Sequence, residues 1–461
     1  MSPQKSPAPV FICARCDAQS PKWTGQCLEC GAWGTLQAAS PAAATANRAA
    51  KVPPPPVTSL TKVRSGDFSR LPTGVGEIDR VFGGGIVKGS VVLLGGEPGI
   101  GKSTLAMAIC AALAARPDRK IVYVSGEESA EQVKMRAERM KIPTDRFFFL
   151  AETEVGAVTA ALEKEKPDLA VIDSVQTLRD DSIPSEAGAV NQVRGAAARL
   201  TAFAKSSGTP LLLIGHVTKD GGLAGPKTLE HLVDAVLSFE GERSHSLRVL
   251  RAMKNRFGST DETGIFAMTE SGLEEIRNPS AYLLEDRRPG TPGSAISCVI
   301  EGTRPMLVEV QALVQRTPFG YPTRRASGFD QARLEMLIAV LGRRGGIDLG
   351  QHDVYVNIVG GLKVKEPAAD LAVVAALASA ANDVPLPEDL AVWGEVGLGG
   401  EVRSFISADR RLSEARALGM GRVLTSLPRS GKKAANGAID VKTVRDALAA
   451  LAAKDRPARG K

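Results

Sequence analysis

The stretch Gly95-Gly96-Glu97-Pro98-Gly99-Ile100-Gly101-Lys102-Ser103-Thr104 limits what this chain can become more than any other. From Gly96 to Ser103 it fits G-x-x-x-x-G-K-[ST]. Residues 91–94, Val-Val-Leu-Leu, read as a buried strand before it, and residues 105–115 read as a helix after it. Strand, glycine-rich loop and helix in that order make a phosphate cradle. Glycines let successive N–H groups turn into one concavity, and the helix N-terminus adds its positive end. Lys102 has the length to reach β- and γ-phosphates, and the Ser103 hydroxyl suits magnesium. The whole segment from Gly95 to Thr104 is therefore the expected nucleotide-binding loop.

The chain has 461 residues, enough for roughly three domains. Its formal net charge of +7 is mild for that length and permits a polyanion partner without requiring one. No run approaches the roughly 20 apolar residues of a membrane span, and the polar start leads into no signal-type segment. The expectation is a soluble, cytoplasmic protein with no membrane partner. Six cysteines are few for such a chain, so a disulfide framework is not expected.

Four of those cysteines fall in the first thirty residues, as Cys13-x-x-Cys16 and Cys27-x-x-Cys30. Two such turns each aim a pair of thiolates at one point, which suits tetrahedral zinc with all four positions filled by protein. Trp23 and Trp33 are the expected apolar core of this knob, at residues 10–36. Residues 37–62 are rich in Ala and Pro and read as a linker. Residues 63–278 read as the ATPase domain and 279–455 as a final domain.

The lead-in from Arg70 to Phe82 and the triplet Gly83-Gly84-Gly85 resemble the RecA/DnaB branch of P-loop proteins. Residues 120–125 read as a second parallel strand, ending in Gly126-Glu127-Glu128. A carboxylate there is placed to orient or deprotonate an attacking water. By resemblance to RecA-type enzymes the base is Glu127 or Glu128. The sequence does not separate them, and Glu127 is the one carried forward. Leu169-Ala-Val-Ile-Asp173 has the Walker B pattern, with Asp173 beside magnesium. The strand ending at Gly215-His216 occupies the position of a γ-phosphate sensor in RecA-like motors, which makes His216 a sensor candidate. The following loop carries Lys219 and Lys227, and its counterpart in RecA-type proteins faces a DNA channel; lysines on such a loop suit sequence-independent binding of a single strand.

Residues 239–251 read as an antiparallel pair leading into Lys254-Asn255-Arg256-Phe257-Gly258. With the cysteine knob and the P-loop core, this pentapeptide resembles the hallmark of the bacterial RadA, or Sms, family of DNA repair proteins. The resemblance runs from Cys13 to near the C-terminus. It implies an α/β fold: a RecA-like P-loop core, an N-terminal four-cysteine zinc knob and a C-terminal α+β domain like the proteolytic domain of Lon. It implies ATP, Mg2+ and Zn2+ as ligands. It also implies single-stranded and branched DNA as partners, a homo-oligomeric ring expected to be a hexamer, and a recombinase as a protein partner. Lys254 and Arg256, spaced i, i+2 on an extended segment, lie on one face and suit a finger reaching a neighbouring subunit's ATP.

The Lon nucleophile would fall in Lys365-Glu366-Pro367-Ala368-Ala369-Asp370, where Ala368 stands in its place, and Asp409 stands where the lysine is expected. The expectation is therefore an inactive protease fold. Arg324, Arg325, Arg343, Arg344 and Lys363 are further candidates for contact with DNA. The competing readings are an ATP-dependent protease and a nucleotide-switched DNA scaffold that does not translocate.

Overall fold

Short apolar strands with helices between them dictate layers, and the computed structural model has them. It describes residues 11–15, 18–20, 22–29, 31–38, 59, 69–216, 229–241, 245–318, 320–427 and 437–452. These fall into two units, Met1–Ser65 and Gly66–Lys461.

In the first unit β1 (Phe11–Cys13) pairs antiparallel with β2 (Gln19–Ser20) and β3 (Leu36–Ala38). Cys13, Cys27 and Leu36 form its small core, with Phe11 and Ala18 packed against it. The expected tryptophan core is corrected here: Trp23 is 60% and Trp33 75% exposed. Three short strands enclose room for thiols and little more, so the indoles lie outside. The Trp23 indole N–H donates to the Leu36 carbonyl at 3.1 Å, which fixes the ring at the rim. The proposed linker lies outside the described residues apart from Leu36-adjacent Gln37 and Ala38, which end β3, and Ser59.

The second unit opens with a two-stranded pair, β4 (Arg70–Leu71) and β5 (Ile86–Val87), around helix α1 (Gly76–Phe82). A nine-stranded sheet follows. Its strands are β6 (Val91–Gly96), β7 (Ile121–Ser125), β8 (Phe147–Ala151), β9 (Leu169–Asp173), β10 (Leu211–His216), β11 (Ala235–Gly241), β12 (Leu247–Asn255), β13 (Thr263–Thr269) and β14 (Gly272–Glu275). The spatial order is β14-β13-β12-β11-β6-β10-β9-β7-β8. Strands β11, β6, β10, β9, β7 and β8 run parallel, and β11 to β14 form an antiparallel meander.

Helices α2 (Lys102–Ala114) and α3 (Ala130–Arg139) cover one face of this sheet, and α4 (Val155–Glu165) and α5 (Val190–Ser207) cover the other. Covered on both sides, the parallel strands are apolar throughout rather than alternating. Ser129 caps α3 with a full capping box closed by Gln132.

Beyond helix Pro279–Leu284 stands a seven-stranded sheet. It comprises β15 (Ser294–Glu301), β16 (Arg304–Arg316), β17 (Arg324–Ser327), β18 (His352–Ile358), β19 (Leu390–Val392), β22 (Arg422–Thr425) and β23 (Ala438–Asp440), in the order β17-β18-β16-β15-β19-β22-β23. The short pair β20 (Glu395–Val396) and β21 (Val402–Arg403) stands beside it. Helix Asp370–Asn382 crosses it as a nearly all-buried element.

The two sheets share one hydrophobic cluster. Leu247, Val249 and Ile265 from the meander pack with Leu283, Val308 and Val356 from the C-terminal half. Ion pairs fasten the seam. Arg304 donates to the buried Glu77 carboxylate at 2.6 Å, and Glu77 also accepts the Ile265 N–H at 3.0 Å. Arg251 pairs with Glu301 across the same seam.

Removing one partner of a buried pair leaves an uncompensated charge. Arg304→Ala leaves Glu77, among the described residues, with one cationic partner, Arg80 at 3.8 Å, besides the Ile265 N–H. The expected loss is about 3 kcal/mol. It should appear as a lower denaturant midpoint for the unit as a whole; an unchanged midpoint would show that the seam carries no stability.

Candidate nucleotide site and metal-binding knob

Strand β6 ends at Gly96, level with His216 on β10 and Phe239 on β11. A Cβ on Gly96 would lie 2.6 Å from the Phe239 carbonyl oxygen, so the strand end admits only glycine. The loop then turns into α2 through Gly101, whose φ of 110° is left-handed. Lys102, the first residue of α2, folds back under the loop and is 4% exposed. Its Nζ donates to the Gly96 and Glu97 carbonyls, each at 3.0 Å. Burial pulls its ammonium below the ordinary lysine value, while the charges of Asp173 and Glu127 push it back up. Lys102, Asp173 and Glu127 thus converge beside the loop, and Ser103 and Thr104 follow in the first turn of α2.

Asp173 ends β9, is 9% exposed and accepts the Tyr123 hydroxyl at 2.5 Å. Burial, and next the Asp173 charge, keep that hydroxyl protonated well above its ordinary value. The two glutamates after β7 part company. The Ser174 hydroxyl donates to Glu127 at 3.0 Å, which holds Glu127 beside Asp173 and Lys102. Glu128 instead pairs with Arg136 on α3. Ser125 Oγ accepts both of their backbone N–H groups, at 3.3 and 3.1 Å, which fixes this divergence. The backbone of His216 reaches the site at the level of Gly96. Its side chain, Lys219 and Lys227 lie outside what is described.

The pentapeptide stands at the other end of the sheet. Lys254 pairs with Val236, which pairs with Leu93, and Asn255 pairs with Ala235, which pairs with Val92. Gly96 is three to four residues further along β6, about 10–13 Å away. Lys254 Nζ points away from the loop, donating to the Glu230 and Val233 carbonyls at 2.5 and 2.9 Å. Burial, and next the nearby Arg256, hold its ammonium below the ordinary value.

Arg256 donates to Asp234 at 3.3 Å, and the same buried carboxylate accepts from Lys205 at 2.6 Å and from the Val91 N–H at 3.0 Å. The Asn255 side chain accepts the Phe257 N–H at 3.0 Å, and Arg70 donates to the Phe257 carbonyl at 2.6 Å. The five residues form a braced knuckle. Asp234, Arg70, Tyr123 and Ser174 are the partners that the sequence reading missed. Asp234 is the one with a signal, a carboxylate directly before an apolar strand.

In the knob, Cys13 and Cys27 are buried together. The Arg15 N–H donates to Cys13 Sγ at 3.4 Å and the sulfur lies 3.1 Å from the Thr35 hydroxyl. An amide donated back to the sulfur within a C-x-x-C turn suits a metal thiolate. Cys16 and Cys30 lie outside the described residues. Away from the knob, Cys110 and Cys298 are core thiols; burial pushes Cys298 up to about 12 and Cys110 higher.

In the C-terminal half, Ala368 is fully buried at the start of helix Asp370–Asn382, and its carbonyl accepts the Gly394 N–H at 2.8 Å. Asp409 lies in the first turn of helix Ala408–Ala417. From that helix Arg411 reaches inward to Glu366 and the Cys298 carbonyl. A guanidinium–carboxylate pair, fully buried on the Arg411 side, therefore stands two residues before Ala368. Of the basic candidates, Arg325, Arg343, Arg344 and Lys363 are exposed, Arg343 and Arg344 in the π-helical turn Leu341–Gly345. The Nε of Arg324, the remaining one, is buried.

Loop, helix and carboxylates together define a P-loop ATPase. Residues 58–222 match the AAA domain family, and residues 11–38 match the rubredoxin metal binding domain family. The DNA repair protein RadA of Pseudomonas aeruginosa is 48% identical over 449 residues, covering 96% of this chain and 98% of that protein. Its namesake in Bacillus subtilis is 47% identical, covering 90% and 91%. That of Escherichia coli is 46% identical, covering 96% and 98%. The chain belongs to the RadA family of DNA repair proteins.

Glu127→Gln is expected to lower kcat for ATP hydrolysis about 100-fold or more and leave nucleotide binding in place. Glu128→Gln, which loses only the contact to Arg136, should fall far less. Steady-state hydrolysis and nucleotide titration decide this, and the reverse order would exchange the two roles. Cys27→Ser is expected to release one zinc per chain, read by metal analysis of the purified protein; full retention would remove the assignment.

Proposed function

We propose that this protein is an ATP-driven DNA motor of recombinational repair. In this reading it assembles as a ring, binds single-stranded DNA and extends heteroduplex at branched intermediates. The observation that carries the reading is the placement of Lys254 and Arg256. Within one chain they stand at the far end of β6 from the phosphate loop and face away from it. Cations so braced, yet out of reach of their own site, suit the ATP of a neighbouring subunit.

The proposed chemistry divides among this chain's residues. The crest amides between Gly96 and Thr104 cradle the phosphates. Lys102 exchanges its loop carbonyls for phosphate oxygens, which compete for the same protons. Glu127, steadied by Ser174, takes the proton of the attacking water. Ser103 and Asp173 would hold magnesium, which when bound neutralises charge on the phosphates. His216 and the loop after it would report the γ-phosphate to DNA through Lys219 and Lys227. Zinc in the knob would be structural, held by Cys13, Cys16, Cys27 and Cys30.

Peptide hydrolysis is not part of the proposal. Ala368 carries no nucleophile and is sealed from solvent. In its place the C-terminal half would build the ring and offer Arg325, Arg343, Arg344 and Lys363 to DNA. A recombinase partner follows from family likeness alone.

The test is branch migration on a three-stranded intermediate, with and without ATP, on protein of measured assembly state. Lys254→Ala should keep ATP binding and lose DNA-stimulated turnover. Mixed with wild-type subunits it should suppress activity by more than its share. Strictly proportional activity, or a lone subunit with DNA and ATP present, would falsify action between subunits.

A further inference from the structure

Side chains on β12 alternate between the two faces of the sheet, and Leu250 and Ala252 point into the apolar layer beneath α2. The same alternation turns Arg248 inward, and it is 5% exposed. A guanidinium is tolerated there only where fixed acceptors meet it. Its Nε donates at 3.1 Å to the carbonyl of Ile100, on the crest of the phosphate loop. Its Nη1 donates to the His245 and Leu247 carbonyls at 2.6 and 2.8 Å.

The Ile100 carbonyl shares its peptide unit with the Gly101 N–H. In a trans peptide the two point in opposite directions. Holding the oxygen outward therefore holds the Gly101 N–H toward the phosphate cradle. Without such a hold the peptide can rotate, because Gly101 has no Cβ and is already left-handed.

The other acceptors of Arg248 belong to a second contact. The turn at Gly360 and Gly361 of the C-terminal half has φ of 86° and 72°. A Cβ on Gly361 would strike the His245 ring, and one on Gly360 would strike Leu283 and stand 3.4 Å from Leu247. The turn thus rests on the two residues whose carbonyls Arg248 holds. Between loop and turn lies a cavity of about 250 Å³, lined by Gly96, Glu97 and Ile100 on one side and Leu362 and Lys363 on the other.

We infer that Arg248 is a positioning residue for ATP hydrolysis, fixing the crest amide of Gly101 for phosphate and coupling the loop to the Gly360–Lys363 turn of the C-terminal half. The inference rests on the nucleotide site proposed above.

Arg248→Lys keeps the charge but cannot span three carbonyls. It should raise KM for ATP about tenfold, as expected for one lost charge-assisted hydrogen bond, with kcat changed far less. In the wild type, saturating adenylyl-imidodiphosphate should slow amide hydrogen exchange both in the loop and in residues 359–364. In Arg248→Lys at saturation the loop should be protected and the turn should not. An unchanged KM, or equal protection of the turn in both proteins, overturns the inference. Should the variant fail to fold, the wild-type exchange alone decides: loop protection without any change at the turn overturns it. Failure of the wild type to bind the analogue removes the nucleotide site and this inference with it.

Discussion

Strand β6 is hydrogen-bonded on both edges, to β10 on one side and β11 on the other, in parallel register. Everything functional in the core follows from that pairing. Parallel neighbours end together, so Gly96, His216 and Phe239 arrive at one level, and β9 brings Asp173 to the same end through β10. The cradle forms at the carboxyl ends of the strands because the free N–H groups of α2 and the carboxylates of β7 and β9 can all be directed there. The ladder is kept shut by the close approach at Gly96, where a single methyl would separate the loop from β11.

Local chemistry made much of this readable in advance. The phosphate loop and the strand ending at Asp173 are each set by neighbours in sequence, so pattern alone locates them. The choice between Glu127 and Glu128 was not local. It depends on Ser174, 47 positions from Glu127, and on which carboxylate Arg136 captures. The tryptophans of the knob misled for a related reason. Aromatic residues usually fill small cores, but here the thiols take that volume and the indoles cover the outside. Arg248 was open to detection. Once Leu250 and Ala252 are read as facing inward, a strand period of two turns Arg248 inward as well, and an inward cation calls for an acceptor.

Strand β12 has two tasks at its two ends. At its start Arg248 holds the carbonyl of the phosphate loop; at its end Lys254 and Asn255 are braced against the far side of the sheet. Seven residues of extended chain separate Arg248 from Asn255, about 23 Å. From Arg248 to Arg251 the strand is paired on both edges, to β11 and β13; beyond Arg251 it keeps only β11, with a register shift between Val236 and Leu237. One strand therefore carries a contact to the chain's own loop near its start and Lys254 near its end.

The seam with the C-terminal half holds the start of β12. Leu247 and Val249 of β12 belong to the same apolar cluster as Val308 and Val356, and Glu77 of α1 is neutralised by Arg304 from β16. Separating the halves would expose those side chains and strand a buried carboxylate, so a large hinge between them is disfavoured. In the proposed motor, work drawn from ATP would therefore have to come out elsewhere, where one subunit meets the next or where a loop meets the nucleic acid. The corner around Ala368 in the C-terminal half is equally closed. With Ala368 sealed and Arg411 locked to Glu366, that region carries packing and charge pairing where a protease would keep an open, reactive cleft.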